Sequence, residues 1–197
     1  MPKRVDHEER RAHIASALLR VISRDGLEAV SLRHVASEAG VTVGMVQHYF
    51  ASKAEMMHFA MRTVSARYEE RVTARLAALG EHPSPQRVLE TLLGMLIPEG
   101  DSEGADGQVG LAFQAYAASH AEAALSLEEG NEALRGHIAG IIRAAGNEVD
   151  PGAAHAAGTG LLAAAEGLGV HVLSSGLPER EARESLAHLI SLVLTER

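Results

Sequence analysis

The sequence predicts an all-α protein, a small N-terminal module of three helices followed by a larger helical body. Apolar residues recur at spacings of three and four along most of the chain, and nothing alternates with period two over strand lengths. Alanine, leucine, valine and isoleucine dominate while aromatics make up 3%, a balance that favours helix. Serine, threonine and glycine stand at the ends of the periodic segments, where helices start and stop.

Taken in order, the first helix is predicted from Glu8 to Arg24, with Ile14, Leu18, Leu19 and Ile22 on one face and arginines between them. Gly26 stops it. Ser31 is a good N-cap for a short second helix, SLRHVASEAG, in which Leu32, Val35, Ala36 and Ala39 face inward and Gly40 ends the run. Thr42 caps a third helix over Val43 to Tyr49, and Ser52 caps a longer fourth. Gly80, Pro83 and Pro85 break that helix, and a fifth runs to about Leu96. The segment PEGDSEGADG reads as the clearest loop. VGLAFQAYAASH then forms a helix, followed by a longer one from Glu122 to Asn147 with Leu125, Leu134, Ile138, Ile141 and Ile142 spaced for burial. The last two helices, Gly152 to Ser174 and Glu179 to Glu196, form a hairpin across SGLP.

With 197 residues the chain can bury a respectable core. It has no cysteine, which excludes disulfides and thiolate metal sites. Eleven histidines form no His-x-x-x-His pair with a carboxylate, so no metal site and no cofactor is expected. There is no P-loop, Gly-x-Ser-x-Gly or His-Glu-x-x-His, which argues against an enzyme. No apolar run approaches the about 18 residues of a membrane span, and the start lacks a signal peptide's apolar stretch, so no membrane is expected and the cytoplasm is the expected compartment. The net charge of −8 argues at first sight against nucleic acid. Its distribution reverses that: residues 1–62 hold nine Lys+Arg against seven Asp+Glu, a balance of +2, and residues 63–197 hold nine against nineteen, a balance of −10.

Two short helices joined by a glycine turn are the geometry of a helix-turn-helix, whose second helix must let its backbone approach base edges. Thr42, Val43 and Gly44 meet that demand, Gln47 and His48 can reach bases, and Tyr49 and Lys53 are candidates for holding phosphates. Ser31, Thr42 and the helix N-termini they cap suit phosphate oxygens. Arg4, Arg33 and Lys3 extend the cationic rim.

The block VTVGMVQHYFASKAEMM resembles the recognition helix and following turn of the tetracycline-repressor (TetR) family, a match covering about residues 8 to 60. The resemblance implies nine helices, a DNA-binding domain over residues 1–52, and a ligand-binding and dimerisation domain over residues 53–197. It implies a ligand-responsive regulator released from a palindromic operator by a small molecule. GMVQHYF and the late AEGLGVHVL are most similar to the branch of betaine-pathway repressors, a likeness of scaffold that carries no ligand. The sign of regulation, repressor or activator, stays open, as does control by a protein partner.

In the body, Ala156, Gly160, Ala163, Ala164, Gly167 and Val170 form a smooth stripe on the penultimate helix. With Leu186, Leu189, Ile190 and Val193 it makes a candidate homodimer face, the alternative being closure of one subunit's core. Met95, Phe113, Gln114, Tyr116, Ala117 and His120, with Glu166 and His171, are the candidate pocket residues. Glu166 is either a carboxylate for a cationic ligand or a surface residue. His120 and His171 bind ligand, sense pH or accept one core hydrogen bond.

Overall fold

A computed structural model describes residues 2–145 and 149–195, with the side chains of residues 2–6 and 101–103 outside that description. Among the described residues there are nine α-helices and no strand: α1 Pro2–Asp25, α2 Leu32–Ala39, α3 Val43–Tyr49, α4 Lys53–Ala77, α5 Pro85–Gly94, α6 Gly100–Ala117, α7 Ala121–Ala144, α8 Pro151–Ser175 and α9 Glu179–Thr195, with one 3₁₀ turn at Leu27–Ala29. The helices pack into two compact units, one of Met1–Tyr68 with Gln108–Ala123, the other of Glu69–Gly107 with Ala124–Arg197.

The first unit is built on local signals. Ile14, Leu18 and Ile22 of α1, Val35 of α2, Val46 of α3 and Met56 of α4 are almost fully buried. Ser31 Oγ accepts the His34 N–H, Thr42 Oγ1 that of Met45 and Ser52 Oγ that of Glu55, so each helix start satisfies one of its orphan donors. Gly40 ends α2 at φ 66°, a left-handed conformation that costs a residue with a Cβ about 1–2 kcal/mol. Leu32, expected inside, is only half-buried.

The second unit has its core in Leu89, Leu93, Ile138, Leu161, Leu186 and Ile190 with their neighbours. Arg183 of α9 donates to the carbonyls of Gly94 and Ile97 at 3.0 and 2.9 Å, capping the C-terminal end of α5. Asp150 accepts the N–H groups of Gly152 and Ala153 to open α8, and Gly176 closes it at φ 72°.

Several expectations are corrected here. PEGDSEGADG is not a loop: α6 starts at Gly100 and takes up most of it. Acidic residues suit a helix N-terminus, and Asp106 is held in an ion pair with Arg71. Gly107 leaves room for Pro98 and Leu173, whose atoms would lie 2.9 and 3.1 Å from an added Cβ. The first helix begins at Pro2 and not Glu8. Leu125, expected in the core, is 67% exposed. Contrary to the hydropathy reading, α8 is long and apolar enough, by length and composition, to cross a membrane, with only 28% of its most apolar window buried.

A candidate nucleic-acid interface

The reading edge of α3 follows from its two faces. Val46 and, just past the helix, Phe50 are fully buried, which turns Thr42, Gly44, Gln47 and His48 to the surface. An added Cβ on Gly44 would meet only Thr42 Oγ1, at 3.9 Å, so the backbone there stands open to approach. Val43 and Tyr49 are half-buried. The Tyr49 ring lies 4.8 Å from that of His7 and 5.1 Å from that of His48, edge-on to the latter. Met45, which the sequence reading passed over, is 38% exposed on the same edge. Its position beside Gly44 was the available signal; the His7 contact spans most of the module and left none.

The predicted phosphate holders are distributed around this edge. Ser31, the N-cap of α2, and Arg33 in its first turn are exposed. Lys53 departs from a free cation: its Nζ donates to the Val30 carbonyl at 2.9 Å, tying the start of α4 to the entry of α2. Two of its three N–H donors remain for other acceptors. Arg4 belongs to α1, but its side chain lies outside the described residues.

Arg11, Arg20 and Arg24 of the module are internally paired. Arg20 meets Glu38 at 2.7 Å, and Arg24 meets Asp25 and Glu38 at 2.8 and 3.1 Å. These partners hold both carboxyls below the usual carboxylate range, Glu38 chiefly through its hydrogen bond from Arg20 and Asp25 through that from Arg24. Arg11 binds Glu55, whose carboxyl is lowered first by the Ala51 N–H.

The candidate pocket residues fall into both compact units. In the first, Phe113 and Ala117 are core residues, 3% and 8% exposed, and Gln114 and His120 are at the surface. The Tyr116 and His120 rings stack at 3.7 Å, and His120 Nδ1 lies 2.9 Å from the Tyr116 carbonyl oxygen, a local contact along the helix end. In the second, Met95 is half-buried, and exposed His171 pairs with Ser175 at 3.1 Å. Glu166 is half-buried on α8, and burial pushes its carboxyl up against the opposing charge of Arg135. An open cleft of about 370 Å³ in the second unit is lined instead by Arg75, Ala78, Glu90, Thr91 and Arg183.

Of the candidate dimer residues, Ala156, Gly160 and Ala163 are exposed, Ala164, Gly167, Val170 and Val193 are half-buried, and Leu189 is 37% exposed beside exposed Leu192. Leu186 and Ile190 are corrected. At 2% and 0% exposure they belong to the subunit's own core, because α9 turns that stripe toward α5 and α8.

Comparison with known proteins bears on the same regions. Residues 14–58 match the family described as bacterial regulatory proteins, tetR family, and residues 85–195 match the C-terminal region of BetI-type transcriptional repressors. The chain is 40% identical to the HTH-type transcriptional regulator PksA of Bacillus subtilis, over 59% of this chain and 56% of that protein. It is 28% identical to the HTH-type transcriptional regulator BetI of Escherichia coli K12, over 93% of this chain and 92% of that one. Its fold is shared with a crystal structure from Saccharomonospora viridis in complex with choline, with a TM-score of 0.80 and 22% identity over 93% of this chain and 96% of that one.

Proposed function

Because the chain belongs to the tetR family of bacterial regulatory proteins, with a BetI-type repressor C-terminal region, we propose that it is a ligand-responsive repressor that binds a palindromic operator as a homodimer. The observation that carries this is the outward edge of α3, with bare Gly44 between capping Thr42 and exposed Gln47 and His48. In this reading Gln47 and His48 contact base edges, Gly44 lets the backbone approach, and Tyr49, Lys53 and Arg33 hold phosphates beside the N-termini capped by Ser31 and Thr42. DNA binding belongs to residues 1–52, with Arg4 on its rim. Ligand binding and dimerisation belong to residues 53–197. A regulator of this kind works where the DNA is, in the cytoplasm.

Two reading helices must sit about 34–36 Å apart to enter successive major grooves, which requires a two-fold dimer. The exposed apolar face of α8, with Gly160 and Gly167 open to approach and Leu189 and Leu192 beside it on α9, is the surface we assign to that dimer. The effector is a small molecule, and the choline held by a protein of the same fold supports that class. A half-buried carboxylate on an apolar helix, Glu166, favours a cationic one. Ligand binding shifts the population toward a state whose helices no longer match the groove spacing, with a coupling of about 1–3 kcal/mol, or about 5- to 150-fold in operator affinity.

The test is an anisotropy titration against the intergenic DNA flanking the protein's own gene, with a shuffled control at stated salt. Gln47→Ala is expected to lower operator affinity by about 1–3 kcal/mol and to relax specificity at its base. Unchanged binding by Gln47→Ala and Tyr49→Phe would remove α3 as the reading helix.

A further inference from the structure

We propose that Arg11 is a positioning residue for the reading helix, fixing the exit of α3 through Glu55 and the rings of Phe50 and Phe59. The inference rests on the DNA-binding reading above and adds a residue that touches no DNA.

The guanidinium of Arg11 lies over both rings, 4.7 Å from the centroid of Phe50 and 4.8 Å from that of Phe59. The rings meet edge-on at 5.6 Å. Arg11 Nη2 donates to Glu55 Oε1 at 2.9 Å, and Glu55 Oε2 accepts the Ala51 N–H at 2.8 Å. Ala51 directly follows Phe50, the residue that ends α3 and donates its own N–H to Val46. One side chain of α1 therefore grips the residue that caps α3, the turn after it and the first turn of α4. Tyr49 and Lys53 flank that turn on either side.

Stability alone explains this arrangement poorly. The Arg11 Nε is buried without a hydrogen-bond partner, a cost that an apolar side chain of similar length would not carry. What arginine adds is a planar fork that stacks on rings and orients a carboxylate at once, a combination neither lysine nor methionine reproduces. The sequence holds a trace of it in SKAE, a serine cap followed three residues later by a glutamate, the pattern of a capping box. Here the glutamate turns from the cap's own N–H to that of Ala51 and to Arg11. Phe59 also lies 5.7 Å from the guanidinium of Arg62, so the aromatic pair continues the grip along α4.

A loosened α3 exit lowers binding to the operator, where base contacts need register, and spares binding to shuffled DNA, where they do not. The experiment titrates wild type, Arg11→Met, Glu55→Gln and the double variant against both DNAs over a range of salt, well below each protein's Tm. Operator affinity is expected to fall about tenfold for each single variant, and the double variant to be no worse than either, as for members of one network. Shuffled-DNA affinity and the salt slope stay unchanged. If Arg11→Met fails to fold, Arg11→Lys keeps the charge without the fork and is expected to show the same selective loss. Equal losses on both DNAs with a slope reduced by about one would make Arg11 a direct phosphate contact and overturn the proposal. Wild-type affinity in the variants would overturn it while leaving the DNA-binding reading intact. A wild type that does not distinguish the two DNAs would overturn both.

Discussion

Glycine does opposite work in the two parts of this chain. In the N-terminal module it stands outside or at the start of helices: Gly40 turns the chain between α2 and α3 at φ 66°, and Gly44 bares the edge of α3. In the body it also stands inside them. α8 carries Gly158, Gly160, Gly167 and Gly169, each costing about 1 kcal/mol relative to alanine in a helix interior. Two of these have neighbours that account for them: a Cβ on Gly158 would sit 3.1 Å from the Arg135 carbonyl oxygen, and one on Gly169 would overlap that of Leu96. The other two face nothing within 4 Å. Local rules thus explain the module, whereas close approach of other elements explains half of α8 and leaves the other half to a surface not yet covered.

The largest expected effect breaks this comparison if it fails. Gly169→Val places a branched side chain against a backbone carbonyl that cannot yield cheaply, and is expected to destabilise the fold by about 3 kcal/mol, lowering Tm by roughly 6–12 °C. Gly160→Leu, about two and a half turns of the same helix away in the open, leaves subunit stability unchanged or raised, because nothing opposes the side chain. If α8 meets a second copy, the same change weakens the dimer by about 2 kcal/mol, roughly 30-fold. Thermal melts and sedimentation at graded concentration separate the two effects. A dimer untouched by Gly160→Leu would place the self-contact elsewhere.

Next in size are the caps. Ser31→Ala and Thr42→Ala each remove an N-cap acceptor and are expected to cost about 1 kcal/mol, as is Asp150→Ala at α8. The comparison is sharpened by adding DNA. Because α2 and α3 present their N-termini to phosphates in the proposed function, the first two changes lower operator affinity as well, and Asp150→Ala leaves it unchanged.

The same contrast decides what could be read from the residues alone. Ser31, Gly40, Thr42 and Ser52 act within four positions of themselves, so the module was legible, including the outward Gln47 and His48. In α6, Gly100, Gly104 and Gly107 looked like a loop because each disfavours helix locally. Around Gly107 the helix is held by packing that sequence spacing does not show, Pro98 and Leu173 against the glycine and Arg71 on Asp106. On α9 apolar residues occupy both faces, so periodicity could not tell Leu186 and Ile190, which pack inward, from Leu189 and Leu192, which do not. Lys53 on the Val30 carbonyl and Arg11 between two rings are long-range pairings between residues that each carry an ordinary local reading.

Acidic residues repeat the contrast, with opposite signs. Glu38, in the module, has its carboxyl lowered by Arg20 and Arg24. The stability it contributes is therefore present above the unfolded value of about 4.3 and is lost as pH falls through the lower folded value. Glu166, in the body, has its carboxyl raised by burial, which outweighs the charge of Arg135. Its contribution is full below about 4.3 and is lost as pH rises through the raised folded value. Melts of each variant against wild type from about pH 2.5 to 7.5 isolate the two groups. Glu38→Gln is expected to be less stable than wild type at neutral pH, with the gap closing only as pH falls below about 4.3. Glu166→Gln is expected to match wild type near pH 4 and to become the more stable protein as pH rises, since the amide carries no charge to desolvate. The cationic effector proposed above reverses that second order: a cation held by the Glu166 carboxylate stabilises wild type at neutral pH and leaves Glu166→Gln behind. A saturating small quaternary ammonium that moves neither protein's Tm would separate Glu166 from ligand binding and leave its raised carboxyl a consequence of packing alone.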